Sequence, residues 1–130
     1  MIGIVIVAHG GLAKEYLLAV EHVVGQQKGI RAISIEADHN RVEKQAEICA
    51  AVDSVDSGVG VVVVTDIFGG SPSNLSMLAC QKDSRKIVYG ANLPMLLKLA
   101  KSRHLDVSDA VAKSLAAGRK YINCCDSHPG

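Results

Sequence analysis

Three groups of residues carry the types and spacing that chemistry needs. His9 stands where an apolar run, Ile2 to Ala8, gives way to Gly10 and Gly11 and then to a helix-like stretch. Far along the chain, Asp66 follows a second apolar run and precedes Gly69, Gly70, Ser71 and Pro72. An imidazole with one nitrogen unprotonated can attack phosphorus. A carboxylate bonded to the hydrogen on its other nitrogen fixes the tautomer and favours the positive charge that develops. Paired glycines let backbone approach a ligand closely, and the first turn of a helix leaves amides free to meet an anion. His9 is therefore the candidate nucleophile, Asp66 its orienting acid and Ser71 a hydroxyl donor. Gly10, Gly11, Gly69, Gly70 and Ser71 are the candidate phosphate-binding positions. Phosphoryl transfer asks mainly for in-line positioning and donors to the equatorial oxygens, so the reading calls for no metal and no cofactor.

Taken singly, each feature has an ordinary explanation: a polar residue ending a strand, an acid in a turn, a Gly-Gly-Ser-Pro bend. What joins them is topology. Short Val- and Ile-rich runs at Ile2 to Val7, Ile30 to Glu36, Gly60 to Thr65 and Lys86 to Gly90 alternate with longer amphipathic segments, the pattern of a parallel sheet covered on both faces. The helices are placed from Leu12 to Val24, ending at Gly25; after Asn40, with Glu43 at capping-box spacing; from Pro72 with Ser71 as cap; after Asn92-Leu93-Pro94; and from a cap at Ser108 to Gly118. Right-handed crossovers favour strand order 2-1-3-4. In that doubly wound α/β arrangement the switch point lies between strands one and three, and their carboxyl ends bring His9 and Asp66 to one crevice. Lys120 to Cys124 is expected as a fifth strand, antiparallel at the sheet edge or paired with another subunit, and Asp126 to Gly130 as a frayed tail.

Composition narrows the functional classes. At 130 residues the chain is one domain, with 48% hydrophobic and 21% charged residues, a globular balance. A net charge of +1 and 3% aromatic residues give no basis for a nucleic-acid groove or an anionic membrane surface. No apolar run reaches the roughly 18 residues of a membrane span, and the N-terminus lacks a basic leader region, so a cytoplasmic location is expected. Of the four cysteines, Cys49 and Cys80 fall in helical patterns and read as small buried hydrophobes. Cys124 and Cys125 are adjacent, so no CxxC pair exists and all four are taken as reduced thiols. His22, His104 and His128 read as surface or helix-end residues. His39, after the second strand, is a further position that could line the crevice.

The segments Ala8-His9-Gly10, Thr65-Asp66-Ile67-Phe68-Gly69-Gly70-Ser71-Pro72 and Ala91-Asn92-Leu93-Pro94-Met95, in register through Gly118-Arg119, resemble the IIA component of the mannose/fructose/sorbose family of the bacterial phosphotransferase system. The resemblance implies that His9 accepts a phosphoryl group from phospho-HPr and passes it to a IIB component, with Asp66 as the carboxylate partner and Ser71 as the serine near the phosphoryl group. It also implies a homodimer exchanging the fifth strand at Lys120 to Cys124, and contact with the membrane only through a permease complex. The chain departs from that pattern in a shorter region after Pro94, in Phe68 where the family carries a tryptophan-like position, and in the lack of a IIB domain or Ala-Pro-rich linker after the matched region. Sugar transport and a regulatory phosphocarrier that binds partners by its phosphorylation state are both compatible with this. A different class, a small tetrapyrrole metal chelatase, shares a His-Gly pair after the first strand, with His39 as a second imidazole.

Overall fold

The computed structural model describes residues 1–126. Four strands, β1 (Gly3–His9), β2 (Ile30–Ile35), β3 (Val61–Thr65) and β4 (Arg85–Val88), form a parallel sheet in the order β2-β1-β3-β4. Five helices cover it: α1 (Leu12–Val24), α2 (Arg41–Val55), α3 (Ser71–Ser76), α4 (Leu93–Lys101) and α5 (Val107–Lys120), with a single 3₁₀ turn at Leu78–Cys80.

The alternation of side chains along β1 divides the core in two. Ile2, Ile4, Ile6 and Ala8 join Val62, Val64 and Val88 against α1, α4 and α5, while Val5 and Val7 join Ile33, Val61 and Val63 against α2 and α3. Both faces of β1 and β3 are therefore dry, which explains why their sequences are unbroken aliphatic runs rather than alternating ones. Each fully buried Val or Ile contributes about 1.5–3 kcal/mol. The sheet's stability is thus concentrated in the two strands that end at His9 and Thr65.

Local signals set the helix ends. Asn40 caps α2 by accepting from the Glu43 amide at 3.0 Å, and Asn92 caps α4 by accepting from the Met95 amide at 3.0 Å. α1 spans Leu12–Val24 and stops at Gly25, which has φ +86°. Two expected caps differ. α5 is capped by Asp106, not Ser108, through a 2.8 Å bond from the Asp109 amide, and it continues past Gly118 to Lys120. α3 is preceded by Gly70 rather than capped by Ser71, which is its first helical residue. An aspartate two residues earlier offers the same acceptor as Ser108, and the later residue then enters the first turn.

Within the single chain Lys120 is helical and residues 122–126 pair with no strand. The fifth strand expected at Lys120 to Cys124 is therefore not formed within one copy, although the outer edge of β4 is open. Of the expected frayed tail only Asp126 is described, and the remainder, including His128, lies outside the described residues.

Beneath the sheet, at the ends opposite His9, two arginines tie the frame together. Arg103 is buried and donates to the carbonyls of Ile2 at 2.7 Å and Gly29 at 3.2 Å. Arg85 opens β4 and bonds Asp56, Asp53 and the carbonyl of Ala79.

Candidate functional site

β1 delivers His9 to the carboxyl edge of the sheet, and the first residue after neighbouring β3 is Asp66. The His9 ring nitrogen Nδ1 lies 2.8 Å from Asp66 Oδ2, and the His9 backbone amide donates to the same oxygen at 3.1 Å. The other carboxylate oxygen accepts from the Ile67 amide at 3.0 Å. Both oxygens of the acid are thus engaged, and the imidazole is oriented by a group anchored to its own backbone. The Asp66 side chain keeps 11% of its surface exposed, against 50% for His9. One flank of the ring is therefore sheltered and the other faces solvent.

Partial burial works to raise the Asp66 pKa. The hydrogen bonds from the His9 amide and ring, with the ring's charge, outweigh it, so the carboxyl titrates below the usual 3.8. Asp66 is an anion throughout the neutral range. As an acceptor it receives a hydrogen bond from Nδ1–H, which leaves Nε2 of the neutral ring with the free lone pair.

The glycines do different jobs from one another. Gly10 has φ +56° and Gly69 φ +80°, conformations that a side chain would strain. Their amides are engaged: Gly10 donates to the Ile35 carbonyl at 3.0 Å and Gly69 to Ser73 Oγ at 3.1 Å. Gly70 lies close to the ring: a Cβ there would sit 3.5 Å from His9 Cε1, an ordinary contact, and 3.1 Å from the exposed Ile67 side chain, which would have to give slightly. Gly11 precedes α1 with φ −85°, and its amide and those of Gly70 and Ser71 have no protein acceptor among the described residues. The Ser71 side chain is exposed and makes no hydrogen bond among the described residues.

Two residues that sequence reasoning passed over shape this loop. Buried Ser73 accepts from Gly69 and donates to the Gly70 carbonyl at 3.0 Å, stapling the Gly-Gly turn to α3. Its position three residues after Gly70 and two after Ser71 was the available signal, but the serine preceding the proline drew the assignment. Tyr89, after β4, meets Phe68 edge to face with ring centroids 4.8 Å apart. Phe68 is otherwise 76% exposed, and Ile67 and Leu12 are exposed around the same rim.

His39 sits elsewhere. It bonds the Glu36 carbonyl through Nδ1 and lines a depression with Asp38, Asn40, Glu43 and Glu47 that His9 does not enter. Among the described residues no group of three or more His, Cys, Asp or Glu side chains is placed to hold a metal ion. No helix among them is long and apolar enough to cross a membrane.

The family described as "PTS system fructose IIA component" matches residues 3–116. The mannose-specific EIIAB component of Escherichia coli K12 is 29% identical over 98% of this chain, and the match covers 41% of that protein. The chain thus spans about two-fifths of that relative's length. Among solved structures, the mannose/sorbose specific IIA subunit of Enterococcus faecalis superposes with a TM-score of 0.86 at 25% identity, covering 96% of this chain and 95% of the other. The IIA protein associated with the fucose utilization operon of Streptococcus pneumoniae gives 0.81 at 31% identity, covering 93% and 91%.

Proposed function

The chain belongs to the fructose/mannose-type IIA family of the phosphotransferase system, and on that premise we propose that His9 accepts a phosphoryl group from phospho-HPr and passes it to a IIB component, in sugar uptake or in regulation. The observation that carries this reading is the 2.8 Å bond from His9 Nδ1 to a carboxylate on a half-exposed ring. With Nδ1 occupied, Nε2 is the nucleophile. Its lone pair forms the new P–N bond as the P–N bond of the donor's phosphohistidine breaks, and the released pair stays on the donor imidazole. The His9 ring takes on positive charge and keeps its Nδ1 proton, and Asp66 stabilises that charge without accepting the proton. The free amides of Gly11, Gly70 and Ser71 and the Ser71 hydroxyl supply donors for the phosphoryl oxygens, a role that leaves Gly10 and Gly69 as conformational residues.

The reading extends to a cytoplasmic protein that meets the membrane through a permease complex, and to a homodimer in which residues 120–124 of each copy supply the missing edge strand of the other. β4 is short and unpaired on its outer side, which supports that exchange.

The test is phosphorylation from phosphoenolpyruvate with enzyme I and HPr, read as acid-labile, base-stable label on this protein. Wild type takes up label at one site and His9→Ala takes up none. Normal labelling of His9→Ala removes His9 from the mechanism.

A further inference from the structure

On the outer side of α4 and α5 lies a groove of about 690 Å³, lined by Pro94, Leu97, Lys98 and Lys101 from one helix and Lys113, Ala116, Ala117 and Lys120 from the other, with Tyr121 at one end. Each helix contributes residues at i, i+3, i+4 and i+7, so two straight stripes face each other across the recess. The floor is apolar or small and the rims are cationic. No carboxylate lines the groove, and none of the four lysines makes an ion pair among the described residues. On a chain whose net charge is only +1, that is a local concentration of unneutralised charge.

We propose that this groove docks an acidic amphipathic helix of a partner protein. The seven-residue stripes run about 10 Å, two turns of a helix lying alongside. Ala116 and Ala117 let a helix backbone approach to the 8–10 Å axis separation of close packing. Carboxylates flanking the apolar face of such a helix meet Lys98 and Lys101 on one side and Lys113 on the other, so the docking does not depend on Lys120, which strand exchange would withdraw. A lipid surface fits less well, since interfacial helices present a projecting face of large apolar residues, whereas this site is a recess floored by alanine. The groove contains neither His9 nor Asp66, so the docking is independent of the transfer chemistry.

Two synthetic peptides of about 15 residues, long enough to approach helicity in water, test it. One carries Leu at i, i+3, i+4 and i+7 flanked by Glu, and the other has Lys in place of each Glu. With the full-length protein, fluorescence anisotropy detects the acidic peptide and not the basic one, and backbone amide shifts change in α4 and α5. The double variant Lys98→Glu/Lys113→Glu, with unaltered circular dichroism, weakens binding at least tenfold, while His9→Ala binds as wild type does. Equal binding of the two peptides overturns the proposal. So does binding to phosphatidylglycerol vesicles, or self-association in sedimentation, that the double variant abolishes while leaving the acidic peptide's affinity unchanged.

Discussion

Replacing Asp66 with asparagine changes one formal charge and almost no volume. In the wild type the carboxylate sits 2.8 Å from Nδ1 and is nearly buried, while the ring it supports is half exposed. With charge centres about 4 Å apart, an effective dielectric of about 20 gives about 4 kcal/mol between unit charges. Exposed ion pairs retain only about 0.2–1 kcal/mol because water screens them. One flank dry and one wet places His9 between these limits, at about 1–2 kcal/mol of stabilisation for the positive ring formed in transfer. That corresponds to a rate about 5- to 30-fold slower for Asp66→Asn. The asparagine oxygen can still accept from the His9 amide, so the fold persists. The assay is rapid-quench transfer of labelled phosphoryl groups from phospho-HPr, with circular dichroism as the control on structure. A folded Asp66→Asn protein transferring within twofold of wild type would refute the electrostatic role of the acid.

The same carboxyl predicts a pH dependence. Its folded pKa lies below the unfolded value near 3.8, so its contribution to stability is complete above that value and disappears as pH falls through the lower, folded one. Urea unfolding at pH 3–7 should therefore show the gap between wild type and Asp66→Asn narrowing only below about pH 4; a constant gap removes the linkage. At the opposite edge, Asp56→Ala strips the buried Arg85 guanidinium of its two 3.1 Å bonds and costs about 2–4 kcal/mol, whereas Asp53→Ala, which removes a carboxylate that is itself 67% exposed, costs under about 1 kcal/mol. Equal losses in chemical denaturation would show that burial does not govern that pair. Burial pushes the Cys80 thiol up to about 11, and Cys49 is raised in the same direction. At pH 8, mass spectrometry after brief alkylation should find the exposed Cys124 and Cys125 modified and Cys80 intact until the protein unfolds.

Strand order and the meeting of His9 with Asp66 were legible because both follow from coarse features: unbroken aliphatic runs, crossover handedness and the point where strand order reverses. Capping at Asn40 and Asn92 was equally readable, since a short polar side chain before a helical pattern has one geometric use. Ser108 was misjudged because Asp106 offers an equivalent acceptor two residues earlier, and Ser71 because the last extended residue before α3 is Gly70, which sequence does not distinguish from the serine after it. At Gly10 and Gly69, expected among the phosphate-binding positions, the folded backbone adds what composition cannot. Sequence shows that a glycine can turn the chain, and only the folded backbone shows that its amide is engaged by Ile35 or Ser73. The basic groove was invisible for the opposite reason: its lysines are spread from 98 to 120 and form no run until two helices bring them face to face.

One oxygen of Asp66 holds both the ring and the main chain of His9. The aim of the imidazole is thereby slaved to the edge of a rigid sheet rather than to a mobile loop. A group that must be received and then given away is best served by a mount whose geometry is the same before and after loading, because any rearrangement on arrival would have to be reversed on departure. Under the proposed transfer, such a mount adds no rearrangement of its own to either step.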